Sequence, residues 1–192
     1  TFTTEPRMDI WRKELIWAWN QALWDAPSKV LAKGEPDPQL LLTTQLAPEL
    51  TGVSKELVMI SAYFVPGQPG LVYLTGRADA GVSVSLLTNS LEATDVPAVH
   101  GGYAPYRKAL LEHGVKLYEL RRQPGDGGGS GPHVFYSKSF RGSDSSLHSK
   151  AMIFDRQKSF IGSFNFDPRS VLWNTEVGVL VDSPELAEHV RE

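Results

Sequence analysis

Hydrophobic positions fall in short dense runs separated by longer amphipathic stretches. Residues 57–63 (LVMISAY) and 82–88 (VSVSLLT) are almost continuously apolar or small, the pattern of strands buried on both faces. Residues 115–120 predict a third strand and 176–181 another. The intervening segments predict a helix over 40–53, a short helix over 71–80 and one long helix over 97–113, with Pro97 in its first turn and Gly114 beyond its end. Residues 66–70 (PGQPG) read as a turn and 34–38 as a loop. Ser183-Pro184-Glu185 starts a terminal helix, with Ser at the cap and Pro just inside. Strands alternating with helices predict α/β layers. Residues 10–25 carry Trp11, Trp17, Trp19 and Trp24 on a pattern that suits a strand or a helix. These read as core or interface aromatics, with contact to lipid headgroups as the minor alternative.

Residues 147–165 (LHSKAMIFDRQKSFIGSFN) predict a hairpin, with strands over 147–154 and 159–164 and a turn over 155–158. Alternation puts His148, Lys150 and Met152 on one face, and Ser163 and Asn165 on one face of the second strand. A symmetric four-residue loop pairs 154 with 159, setting Lys150 opposite Ser163 and His148 opposite Asn165. That patch would hold an imidazole, an ammonium and two neutral donors, the inventory for gripping and attacking a phosphate. A slip of one residue would separate them. The plain alternative is an edge hairpin with a solvated polar face.

Charge and composition narrow the partners. At 192 residues the chain can bury one good core. A net charge of -3 provides no global basic field for nucleic acid or anionic lipid, and leaves open a local basic patch. The absence of cysteine excludes disulfides and thiolate metal sites, and no cluster has metal-ligand spacing, so neither metal nor other cofactor is expected. No apolar run is long enough to span a bilayer. The low-complexity stretch 123–131 (QPGDGGGSG) lacks the GxxxxGK[ST] pattern and is expected as a mobile loop beside the hairpin, not as a phosphate cradle.

The spacing HxKxxxxD, from His148 through Lys150 to Asp155, is followed by Gly162-Ser163 and Asn165. It resembles the HKD motif of the phospholipase D superfamily. Residues 60–67 (ISAYFVPG), 87–90 (LTNS) and 94–96 (TDV) resemble cardiolipin synthase-like members, as do His100, Tyr103, Tyr106-Arg107, Asp167-Pro168-Arg169-Ser170 and Asn174-Thr175-Glu176. The resemblance implies an α-β-α sandwich: a mixed sheet with helices on both faces. It implies a single HKD domain over 1–192, the carboxyl-terminal half of a longer bacterial protein peripherally associated with a membrane. The implied chemistry is metal-independent phosphodiester transfer or hydrolysis on phospholipid headgroups through a phosphohistidine. His148 would attack phosphorus or act as its acid–base partner. Lys150, Ser163 and Asn165 would hold the phosphate oxygens, and Glu176 would accept a hydrogen bond from His148. Asp155 completes the catalytic motif, and its turn position gives it a structural role. Arg169 is expected in a hairpin-end salt bridge in preference to a second phosphate contact.

Superfamily enzymes use two HKD motifs. His100, His113, His133 and His189 all lack a lysine two residues later. A missing amino-terminal half or a second copy must then supply the other motif, and the chain alone should have little activity. The alternatives are a homodimeric HKD nuclease and a non-catalytic HKD-like pairing domain.

Overall fold

A computed structural model describes residues 15–34, 36–121 and 146–191. Strands β1 (Trp19–Trp24), β2 (Glu56–Ser61), β3 (Ser83–Asn89), β4 (Lys116–Leu120), β5 (Lys150–Phe154), β6 (Lys158–Gly162) and β7 (Val177–Asp182) form one sheet. Its order is β1-β7-β6-β5-β2-β3-β4. β2, β3 and β4 run parallel, because α2 (Gly67–Asp79) and then α3 (Pro97–Tyr103) and α4 (Arg107–Glu112) carry the chain back between them. The other pairings are antiparallel.

Strand alternation sorts the side chains. Met59, Met152, Phe160 and Leu180 stand in one row across four strands. With Leu57, Val84, Leu86 and Phe154 they share a core with Leu42 and Leu46 of α1 (Leu42–Gly52), Leu74 of α2, Tyr103 of α3 and Leu110 of α4. On the opposite face α6 (Pro184–Arg191) packs across β5 and β6, with Ala187, Ile153 and Ser159 buried. The sheet is therefore mixed, with helices on both faces.

Several local expectations change. The segment 97–113 is two helices separated by a 3₁₀ turn, Ala104–Tyr106, where Pro105 has no N–H to continue the ladder. Helix α2 starts at Gly67, so PGQPG forms its first turn, where proline costs no hydrogen bond. Residues 167–170 open the short helix α5 (Pro168–Leu172): Asp167 Oδ1 accepts from the amides of Arg169 (2.8 Å) and Ser170 (3.2 Å). The described tryptophans of this stretch are not core. Trp17, just before the sheet's edge strand β1, is 88% exposed, and Trp19 and Trp24 on that strand are 61% and 54% exposed. Trp11, the glycine-rich stretch 123–131 and His133 lie outside the described residues. No described helix is long and apolar enough to cross a membrane.

Candidate active site

The β5–β6 turn is one residue shorter than expected. Asp155 and Arg156 both adopt left-handed backbone (φ 53° and 59°), and the Gln157 amide donates to the Phe154 carbonyl at 3.0 Å. This pairs Phe154 with Lys158 and Ala151 with Ile161. Continuing the register sets Lys150 against Gly162, so the expected Lys150–Ser163 and His148–Asn165 pairings are wrong by one position.

Asp155 explains the tight turn. Its carboxylate accepts from the amides of Lys55 (2.7 Å) and Glu56 (2.9 Å), and from the amide and hydroxyl of Ser54 (both 3.0 Å). Burial alone would raise its pKa, yet these donors together hold it below the ordinary carboxylate value. It sits at the far end of β5 from Lys150. Its part is to fasten the turn to β2, and it does not join the site.

The site residues meet by another route. β6 ends at Gly162, which pairs with Gly178 of β7. A Cβ on Gly162 would come within 2.3 Å of the Val177 carbonyl oxygen, so this close approach requires glycine. Just beyond it, the Ser163 amide donates to the Val177 carbonyl (2.9 Å), and Ser163 Oγ accepts from the Val177 amide (3.1 Å). The Ser163 hydroxyl donates to the carboxylate of Glu176, which is buried at the start of β7. Lys150, at the start of β5, is 9% exposed and donates from Nζ to the His148 carbonyl at 2.6 Å. Burial pushes its ammonium below the ordinary lysine pKa, while the carboxylates of Glu176, Asp95 and Asp167 act in the opposite sense. Glu176 thus receives the Ser163 hydroxyl, and its charge acts on Lys150 without an ion pair to it. The expected hydrogen bond from His148 to Glu176 is absent: Glu176 receives Ser163 instead. The His148 imidazole is exposed and makes no hydrogen bond among the described residues.

Asn165 is buried, and its Oδ1 accepts from the Tyr63 amide at 3.1 Å. The Tyr63 hydroxyl donates to both Asp95 oxygens at 2.8 Å, and burial together with that carboxylate pushes its pKa up. Asn89, at the carboxyl end of β3, lies in the stretch 87–90 that carries the resemblance, where α/β sheets tend to bind ligands. It clamps the backbone just before His148: Nδ2 donates to the Leu147 carbonyl (3.0 Å) and Oδ1 accepts from the Leu147 amide (2.9 Å).

Beside Asn165 opens a pocket of about 360 Å³ lined in part by Tyr63, Val65, Val99, Arg169 and Asn174. Arg169 is exposed and forms no salt bridge among the described residues, so the hairpin-end salt bridge gives way to a cation facing this pocket. Of the remaining histidines, His113 pairs with Asp79 at 2.8 Å and His100 lies 3.5 Å from Arg107. The described residues contain no group of His, Asp and Glu arranged to hold a metal ion.

The sequence model of the family described as "Cardiolipin synthase, PLD-like domain" matches residues 46–192. Cardiolipin synthase C of Escherichia coli strain K12 is 43% identical to the chain over 175 residues, covering 91% of this chain and 36% of that protein. The chain spans about a third of the length of the curated relatives it matches first. A phospholipase D family member from Salmonella typhimurium superposes with a TM-score of 0.57 at 16% identity, over 91% of this chain and 90% of that one. Phosphatidylserine synthase of Haemophilus influenzae superposes at 0.60 and 17%, over 90% and 37%. These structural likenesses establish the fold.

Proposed function

Because the chain belongs to the cardiolipin synthase PLD-like domain family, we propose that it supplies one half of an active site for phosphodiester transfer on phospholipid headgroups. The observation that carries this reading is the gathering of Lys150, Ser163 and Glu176 beside His148 and Asn165, at the carboxyl ends of the parallel strands β2 and β3. A ring nitrogen of His148 attacks phosphorus, the bond to the leaving oxygen breaks, and a histidine of a second motif protonates that oxygen. An alcohol or water then attacks, the P–N bond breaks with its electron pair returning to the imidazole, and the second histidine takes the nucleophile's proton. Lys150 spends one N–H on the His148 carbonyl and keeps two for phosphate oxygens. Its partial burial strengthens that attraction. Asn165 and Arg169 add donors at the pocket. Glu176 orients Ser163 and balances the Lys150 charge.

The second motif comes from the rest of a longer bacterial protein or from a second copy. The exposed Trp17, Trp19 and Trp24 suit peripheral contact with a bilayer surface. Net charge of -3 weighs against the nuclease alternative. The test is release or transfer of headgroup by the longer protein on phosphatidylglycerol vesicles, with single-stranded DNA in parallel. Lipid turnover without DNA cleavage is expected; DNA cleavage alone would overturn the reading in favour of the nuclease.

A further inference from the structure

Asp25 and Lys29 form a buried ion pair, 5% and 2% exposed, with Nζ and Oδ2 2.7 Å apart. Both precede the residues that the family model matches. Between them they reach three other segments. Asp25 Oδ1 accepts from the Leu42 amide at the start of α1 (2.6 Å), and Oδ2 accepts from the Glu176 amide (2.8 Å). The Asp25 amide donates back to the Glu176 carbonyl (2.9 Å). Lys29 Nζ donates to the Ser170 carbonyl in α5 (2.9 Å), the helix whose cap is Asp167.

A pair this deeply buried is a weak source of stability, since well-packed apolar residues of similar volume usually serve as well or better. What the pair does provide is direction. Asp25 holds the Glu176 backbone at its amide through Oδ2 and at its carbonyl through its own amide, and the carboxylate of that same residue receives Ser163 and acts on Lys150. We infer that Asp25 and Lys29 are positioning residues: they fix Glu176 so that its carboxylate stays on Ser163 and beside Lys150. The catalytic meaning of this rests on the phosphodiester reading; the geometric claim does not.

The double variant Asp25→Leu with Lys29→Met keeps net charge and removes both ends of the pair together, so that neither charge is left buried alone. Two NMR readouts in this chain test the claim. The Lys150 side-chain titration should move to lower pH than in wild type, because Glu176 no longer supports the ammonium. Exchange of the Val177 amide, held by Ser163, should accelerate by about tenfold or more. A folded double variant with both readouts unchanged overturns the inference. If it does not fold, Asp25→Asn is read the same way; the Asp25 charge is not among those acting on Lys150, so a shift there reports displacement of Glu176. In the longer protein kcat should fall on the order of 10²-fold with KM little changed. Absence of turnover in the wild-type longer protein would sink the functional reading, while the NMR result still decides the positioning claim.

Discussion

Lys150 holds the backbone of His148: its ammonium donates to the His148 carbonyl at 2.6 Å. Lys150 therefore places the His148 backbone, in addition to the phosphate contact proposed for it. An arginine fork cannot reproduce a compact ammonium reaching back two residues while keeping donors free. Lys150→Arg should lower turnover of the longer protein by about 10²-fold or more. Steady-state kinetics, with circular dichroism to verify folding, checks this. Near-wild-type rates would remove Lys150 from the mechanism.

Asn89 should matter through the same backbone. Asn89→Ala removes both bonds to Leu147 and leaves buried groups unpaired, at a cost of about 1–3 kcal/mol. Chemical denaturation measures that loss. Faster exchange of the Leu147 amide would place it beside His148 and away from the rest of the core.

Gly162 allows no side chain. Gly162→Ala drives a Cβ into the Val177 backbone, where no flexible group can give way. A loss of about 2 kcal/mol or more is expected in denaturation. Stability within 0.5 kcal/mol of wild type, an order-of-magnitude margin for neutral substitutions, would contradict the β6–β7 packing.

Much of this was legible in the sequence. The apolar runs at 57–63 and 82–88 marked β2 and β3, and the spacing of His148, Lys150, Ser163 and Asn165 marked the candidate site. The register was not legible, because it depends on Asp155 and Arg156 taking left-handed backbone, and periodicity says nothing about φ. Part of the set assembles even so, because Glu176, just before β7, receives Ser163. That meeting is long-range, as are the Asp25 bonds that hold Glu176, and no local pattern reports either. The tryptophan-rich stretch left core and interface both open, because aromatic richness signals either, and only the sheet order reveals that β1 is an edge.

The turn makes an acid-side prediction. Asp155 and Glu56 both have folded pKa values below the ordinary carboxylate values, Asp155 through its amide and hydroxyl donors, Glu56 through its Arg156 hydrogen bond. Their contribution is full above the unfolded pKa values of about 4 and is lost as pH falls through the folded ones. Asp155→Asn should therefore destabilise the chain near neutrality and flatten its loss of stability on acidification. Urea midpoints across the acid range test this; a variant with wild-type pH dependence would contradict the assignment.

The most direct measurement is turnover by the longer protein carrying His148→Asn. Asparagine can neither form the phosphorus–nitrogen bond nor exchange the proton. The account predicts a folded protein whose phosphodiester transfer falls by at least about 10²–10⁴-fold. Transfer within about twofold of wild type, a difference too small to represent a lost acid–base or nucleophilic group, would contradict it.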